Sequence, residues 1–304
     1  MTQILFQQLL IMFAMLALGA WMKKRGMMAD QTFKDLGVFL LFVISPIVVF
    51  RGYLVPQTDL NTTRLLVSFV ASFACLLLII GVATLIYRKD GLSIFASIFT
   101  NSGFMGIPLV IALFSQEAIF VLSPFLSWLF VIQWTLGIVV ITKDIRSMSL
   151  IKVITNPVIV ATILGVLVYF LHIPIPAVLD EFLSRIGAML MPVAMIVLGS
   201  SFANLSIKRT LLDMRVWMMV VVRLFILPLF VLGALTFIAK EYSLVAYTLL
   251  VAMSAPIGAN VAILAQQYDR DTQLAASQIM MTTLFSIISM PLMVAIANIL
   301  WRSL

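Results

Sequence analysis

Two short polar stretches interrupt the apolar pattern of this chain where a membrane-spanning helix would otherwise continue. They are TNSGFMGIP at residues 100–108 and SAPIGAN at residues 254–260. Inside lipid, each unpaired backbone group costs several kcal/mol, so an unwound stretch persists only where protein or a wet cavity surrounds it. Gly106 and Gly258 lie half a chain length apart. Matched breaks of this kind are typical of repeat-built transporters and predict a binding site at the breaks.

The composition supports a membrane location, because 63% of the residues are hydrophobic and only 10% are charged. The mean hydropathy is +1.19. These values exclude a soluble domain and predict an all-α polytopic membrane protein. A helix needs about 20 residues to cross the hydrocarbon core. We predict ten transmembrane helices, at residues 3–22, 36–55, 64–87, 92–115, 118–142, 154–171, 182–203, 215–238, 243–267 and 274–301.

The distribution of basic residues predicts the orientation. No basic residue precedes the first span, whereas Lys23, Lys24 and Arg25 follow it, so we expect a retained helix rather than a cleaved signal peptide. If the chain alternates from there, the loops after the odd-numbered spans hold most of the 19 Lys and Arg residues. The positive-inside rule then places both termini outside. The same distribution explains the net charge of +7 without a nucleic-acid partner.

Several other classes of function lack the residues that they need. Cys75 is the only cysteine and His172 the only histidine, so we predict no disulfide, no metal site and no cofactor. We find no paired mid-membrane aspartates and no acid-rich motif, which disfavours an intramembrane enzyme. A membrane receptor remains an alternative, although it would not require two matched breaks.

The ten predicted spans divide into two halves. Residues 1–142 form the first, 143–153 a short cytoplasmic linker and 154–304 the second. Because each half contains five spans, an odd number, the second half enters the membrane from the opposite side, which predicts a 5+5 inverted repeat. The alternative is a pair of independently kinked helices.

The first break has residues suited to an unwound crossing. Gly103 and Gly106 allow unusual backbone conformations. Pro108 suits the first turn of a new half-helix, where its missing N–H would be unpaired in any case. We therefore expect the fourth helix to restart near Pro108, with Asn101 and Ser102 presented by the unwound segment.

The second break has a corresponding set of residues. Pro256 ends the incoming helix, Gly258 supplies backbone freedom, and Asn260 is predicted to cap a helix that resumes at Val261. Each restart exposes backbone N–H groups with a partial positive charge near mid-membrane, which suits a carboxylate. We predict that Asn101 and Asn260 lie close together. The predicted substrate-binding residues of the two breaks are Asn101, Ser102, Gly103, Gly106, Pro108, Ser254, Pro256, Gly258 and Asn260.

Three polar residues within helices are further candidates. Arg223 lies in the eighth span, where a cation must be paired or wet. It can contact substrate, reach the interface, or bind backbone carbonyls at the end of a half-helix. Gln133 in the fifth span and Gln278 in the tenth can line the site or form interhelical hydrogen bonds.

The segment NSGFMGIPL at residues 101–109 resembles the fourth-helix motif of the auxin efflux carrier family. Other landmarks follow in the order of that family: Ser45-Pro46, the stretch from Pro192 to Gly199, Arg223 with Pro228, and the second break. The resemblance implies broken helices 4 and 9 that cross at the site. It also implies a scaffold of helices 1, 2, 6 and 7, a mobile transport domain of helices 3–5 and 8–10, and a homodimer.

The resemblance further implies alternating access of the elevator type. Bacterial relatives are associated with malate, malonate and similar carboxylates, and plant relatives with indole-3-acetate. The short linker is similar to the bacterial type, which implies a bacterial inner membrane. The 12 acidic residues all fall in predicted loops, so a sodium–proton antiporter lacks its buried carboxylate here. Coupling to H⁺ carried on the substrate, coupling to Na⁺ as in bile acid symporters, and uncoupled transport stay open.

Overall fold

The computed structural model describes residues 1–203, 205 and 207–302, and of residues 207–209 and 302 it describes the backbone. Throughout this part of the chain the regular elements are helices. We label the main helices in chain order: α1 (Thr2–Lys24), α2 (Asp30–Gly52), α3 (Asp59–Tyr87), α4a (Gly91–Ile98), α4b (Ser102–Phe114), α5 (Glu117–Thr142), α6 (Pro157–Leu171), α7 (Ala177–Phe202), α8 (Met214–Ala239), α9a (Ser243–Met253), α9b (Asn260–Gln267) and α10 (Thr272–Arg302).

The chain is a multi-pass membrane protein by the length and composition of its helices. Among the described residues, α1, α2, α3, α5, α7, α8 and α10 are each long and apolar enough to span a membrane, which makes seven. An eighth results if Ile145–Ile154 and α6, bent by 46°, count as one span. The predicted spans 92–115 and 243–267 are divided into α4a with α4b and α9a with α9b. Ten spans and the 5+5 repeat stay predictions.

Helix starts follow local capping rules. Asn156 accepts hydrogen bonds from the backbone N–H groups of Val158 (2.9 Å) and Ile159 (3.3 Å), and Pro157 occupies the first turn of α6. Asp30 places a negative charge in the first turn of α2, which favours a start six residues before the predicted one.

The helices pack as two groups. In the first, α1 lies along the second half of α7, and α2 contacts α6 and α7. The α1–α7 approach requires glycine, because a Cβ on Gly199 would lie 1.9 Å from the carbonyl oxygen of Leu16. In the second group, α3 packs on α5 and α8, α8 on α9a, and α9b on α10. The groups meet where α4b packs on α1 and α5 packs on α2.

Four basic loop residues gather at one surface cavity. Lys89, Lys143, Arg215 and Arg270 come from different loops or helix ends that were predicted to lie on the inner side, and they surround a cavity of about 290 Å³. Arg270 donates to the carbonyl oxygen of Ile141 (2.6 Å), so it binds the C-terminal end of α5. These loops therefore share one end of the helix bundle, as the alternating arrangement requires.

Candidate functional site

The two breaks meet and pair with each other. Thr100 and Ile257 form an isolated antiparallel bridge. The backbone N–H of Asn101 donates to the carbonyl oxygen of Pro256 (2.7 Å), and that of Gly258 donates to the carbonyl oxygen of Phe99 (2.9 Å). Backbone groups freed by one break thus satisfy those freed by the other, which makes both unwound stretches tolerable inside a membrane protein.

The first break ends in a π-helical turn. The carbonyl oxygen of Asn101 accepts from the N–H groups of Met105 (2.8 Å) and Gly106 (3.3 Å), so helical bonding resumes at residues 102–106. Regular α-helix follows from Ile107, with Pro108 in its first turn. The restart expected near Pro108 is therefore correct for the α-helical part of α4b. With its π-helical turn included, α4b begins at Ser102.

The predicted capping role of Asn260 is wrong. Ala259 occupies the N-cap position of α9b without a side-chain hydrogen bond, and Asn260 is the first helical residue. The side chain of Asn260 instead donates from Nδ2 to Oε1 of Gln133 on α5 (2.5 Å). This amide pair connects the second break to α5, because Gln133 is buried and faces the crossing.

A cavity of about 250 Å³ lies at the crossing. Its polar part comes mainly from the two breaks and α5 and consists of Thr100, Asn101, Gln133 and Asn260, with the backbone of Gly103 and Gly258, and Ser201 of α7 adds a hydroxyl. The expected proximity of Asn101 and Asn260 is confirmed, since both line this one cavity. Side chains from α2, α5 and α7 form an apolar wall that includes Leu41, Leu129, Phe130, Val197 and Phe202.

Hydrogen-bond donors without acceptors converge on this cavity. The backbone N–H groups of Gly103, Phe104, Ala259 and Asn260 lie in or just before the first turns of α4b and α9b, and no acceptor for them occurs in the described part of the chain. The Nδ2 atom of Asn101 is also buried without a partner. First-turn N–H groups point out of the helix end and carry partial positive charge. The arrangement suits an anion, although no charged side chain among the described residues lines the cavity.

Arg223 binds the opposite ends of the broken helices. It is fully buried, and it is the only buried charged residue among those described. Nη1 donates to the carbonyl oxygen of Ser97 (3.2 Å), and Nη2 donates to those of Met253 (2.8 Å) and Ala255 (2.8 Å). These carbonyls lie at the C-terminal ends of α4a and α9a, where helices carry partial negative charge. Arg223 therefore holds the two breaks together from behind and does not line the cavity.

The structure separates the predicted site residues into two sets. Those that line the crossing cavity are Asn101, Gly103, Gln133, Gly258 and Asn260. Those that lie outside it are Ser102, Gly106, Pro108, Ser254, Pro256, Arg223 and Gln278. Ser102 Oγ donates to the carbonyl oxygen of Ala252 (2.8 Å), which ties α4b to α9a. Gln278 is fully buried, and neither polar atom of its amide has a partner among the described residues.

The apolar wall was not predicted from the sequence. Gly37, Leu41, Val197 and Phe202 belong to α2 and α7, whose sequences carry no break at these positions. Leucine, valine and phenylalanine occur throughout the chain, so no local signal distinguished these side chains from lipid-facing ones.

Gly258→Ala is expected to lower the melting temperature of the purified protein in detergent. A Cβ at Gly258 would lie 2.6 Å from Oδ1 of Asn260 and 3.0 Å from the carbonyl oxygen of Thr100, so the two breaks would be pushed apart. We expect a loss of about 1–3 kcal/mol, as for other overpacked sites. Gly103→Ala is the matched control, because a Cβ there meets nothing within 4 Å. Equal melting temperatures for the two variants would contradict the pairing of the breaks.

Comparison with known proteins gives one finding. A family model described as membrane transport protein matches residues 140–294, just over half of the chain. The matched region includes Arg223 and the second break. No curated protein matches significantly.

Proposed function

Because the chain belongs to the membrane transport protein family, the family of the auxin efflux carriers, we propose that it is a secondary transporter for a small organic anion. Members of this family are transporters rather than enzymes. The observation that carries the proposal is the crossing of the two breaks, where unpaired donors from two helix ends converge on one cavity.

The charge of the substrate follows from the helix ends. Each N-terminus contributes about half a unit of positive charge, so two converging ends offset about one carboxylate. The Asn101 amide adds a donor for which the described part of the chain supplies no acceptor. A cation would face these same positive ends without any acidic side chain among the described lining residues. The apolar wall from α2, α5 and α7 suits the carbon skeleton of such an anion.

Alternating access is supported by the position of the cavity between the two groups of helices. Most of its polar part belongs to the group that contains α4b, α5 and α9b, whereas much of its apolar wall and the hydroxyl of Ser201 belong to α2 and α7. We propose that α1, α2, α6 and α7 form a scaffold and that α3–α5 and α8–α10 move against it, carrying the polar part of the site. This is an elevator-type movement.

The proposal is tested by uptake of labelled mono- and dicarboxylates into proteoliposomes. We expect uptake of at least one carboxylate above that of protein-free vesicles. Imposed pH and Na⁺ gradients distinguish coupled transport from uniport, since stimulation by either gradient identifies the coupling ion. Specific binding of carboxylates without any uptake would favour a receptor and would contradict the proposal.

The neutral amide of a transported acid is expected to compete poorly for uptake. An amide loses the charge-assisted part of its hydrogen bonds to the helix ends, which is about 1.5–3 kcal/mol per bond. We expect an inhibition constant for the amide at least about tenfold higher than for the acid. Equal inhibition by acid and amide would show that the site does not recognise charge, and stronger inhibition by an organic cation would overturn the anion assignment.

A further inference from the structure

A second cavity lies beside α4b, beyond the crossing. It has a volume of about 390 Å³ and is lined by residues of α1, α2, α4b and α7, together with Gln116. Its polar side chains are Gln8, Arg51, Gln116 and Ser184, and Arg51 is the only charged residue among the described residues that line it.

The two cavities follow one another along the same three helices. Each helix lines the crossing cavity with one residue and the second cavity with residues one to three turns further along. In α2 these are Leu41 and then Val48 and Arg51, and in α4b they are Gly103 and then Pro108 and Ile111. In α7, where the residue numbers decrease in this direction, they are Val197 and then Met191 and Gly187. Shifts of about seven residues at 1.5 Å per residue separate the cavities by about 10 Å along the helix axes. Because all three helices give the same order, the second cavity lies next to the crossing cavity along the helix axes.

Ser45 lies on α2 between the residues that line the two cavities. It is about one turn from Leu41 and one turn from Val48 on α2, directly after the π-helical turn Leu40–Ile44. Its side chain is 4% exposed, and its Oγ has no hydrogen-bond partner within the described chain. A buried hydroxyl in a helix normally bonds to the carbonyl one turn earlier. The Ser45 hydroxyl lacks this bond, and Ser45 lines neither cavity.

Only part of the Arg51 guanidinium is used in hydrogen bonds to Asp180. Nε donates to Oδ1 of Asp180 (2.7 Å), while Nη2 lies 3.5 Å from Oδ2. No acceptor for Nη1 occurs among the described residues. Asp180 is more exposed than Arg51, with 43% against 19% of the side chain, and it does not line the second cavity. The guanidinium can therefore bind a carboxylate in the cavity while the Asp180 carboxylate competes for it from outside.

The neighbouring amides add to this binding potential. Nε2 of Gln8 donates to the sulfur of Met191 (3.1 Å), a weak acceptor, so that a carboxylate would be a better partner. Gln116 and Ser184 make no side-chain hydrogen bond that would occupy them within the described residues. One cation and three neutral polar groups around one cavity can together bind one carboxylate.

We propose that the Arg51 cavity is a second carboxylate-binding site on the transport route, in which Arg51 exchanges Asp180 for the carboxylate of the substrate. The proposal rests on the proposed function, because it identifies the route that leads to or from the crossing site. The alternative is that the Arg51–Asp180 ion pair has a purely structural role and acts as a clamp that joins α2 to α7. The two roles predict different effects of removing the Asp180 charge on ligand affinity. In a binding site, Asp180 competes with the ligand for Arg51, so affinity rises when the charge is removed. If the pair only joins the helices, affinity does not rise.

The test measures ligand-induced thermal stabilisation of the purified full chain, with sodium benzoate as the probe and sodium chloride at equal ionic strength as the reference. Stabilisation rises with ligand concentration relative to the dissociation constant. The Asn101→Ala background weakens binding at the crossing by about tenfold, through the loss of one charge-assisted hydrogen bond. In that background, we expect benzoate to stabilise the protein still, and Arg51→Gln to weaken its binding by about tenfold or more. Asp180→Asn is expected to strengthen binding, because it keeps a hydrogen-bond acceptor for Arg51 and removes the competing charge.

The outcomes separate this proposal from the proposed function. Opposite shifts for Arg51→Gln and Asp180→Asn support the second site, even if the wild-type protein transports no carboxylate, in which case only the transport proposal fails. Shifts in the same direction, or benzoate binding that is insensitive to both residues, overturn the second site even if transport is observed. If Arg51→Gln does not fold, Asp180→Asn decides alone, because a clamp predicts no gain in affinity. Benzamide is the neutral control and should not stabilise any variant.

Discussion

Arg223→Met is expected to abolish the folded, monodisperse protein. The guanidinium donates to three buried backbone carbonyls, at Ser97, Met253 and Ala255. Methionine fills a similar volume but donates nothing, so each carbonyl is left unsatisfied at about 1–3 kcal/mol. The sum is several kcal/mol, a large part of a total stability of about 5–15 kcal/mol. Size-exclusion profiles and thermal unfolding in detergent measure the effect.

Arg215→Met is the matched control for this prediction. Arg215 also lies in α8, but its side chain is 59% exposed and pairs with Asp213 and Asp271 at the surface. Exposed ion pairs contribute about 0–1 kcal/mol, so this variant should unfold near the wild-type temperature. The unfolding temperature of Arg223→Lys should lie between those of Arg223→Met and Arg215→Met, because an ammonium group keeps three donors but lacks the planar geometry of the guanidinium. An Arg223→Met protein as stable as the control would show that the arginine does not hold the breaks together.

Asn101→Ala is expected to reduce carboxylate transport by about tenfold or more, from the loss of one charge-assisted hydrogen bond, with little change in stability. The backbone bonds of Asn101 to Pro256, Met105 and Gly106 do not involve the side chain. The side chain lines the cavity with an unpaired Nδ2. Its removal therefore takes away a donor for the substrate and leaves the pairing of the breaks intact. Initial uptake rates in proteoliposomes and the melting temperature of the same preparation provide the two measurements.

Asn61→Ala provides the comparison for Asn101→Ala. Asn61 lies in the first turn of α3, and its Nδ2 already donates to the carbonyl oxygen of Pro56 (2.9 Å). It lines neither of the two cavities on the proposed route. We expect wild-type transport from this variant. A well-folded Asn101→Ala protein with the uptake rate of Asn61→Ala would remove Asn101 from the site.

The amino-acid sequence by itself determined the membrane class, the positions of the two breaks and their proximity. The physical reason is that a lipid environment tolerates unwound backbone only under narrow conditions. Polar, Gly- and Pro-containing stretches at residues 100–108 and 254–260 therefore had to meet each other or a cavity. The family resemblance rested on the same local motif, and the match over residues 140–294 agrees with it.

Tertiary structure alone decided how the individual side chains are used. From the sequence, Arg223 had three possible roles: contact with substrate, a position at the membrane interface, or binding of backbone carbonyls. Only the packing of α8 against α4a and α9a brings the carbonyls within its reach. Asn260 was predicted to cap its own helix, yet it bonds to Gln133 because α5 lies beside the break. Ser102 and Asn101 are neighbours, but one bonds to α9a and the other lines the cavity. In an unwound segment, no helical period relates one residue to the next, so side-chain direction depends on contacts between residues far apart in the chain.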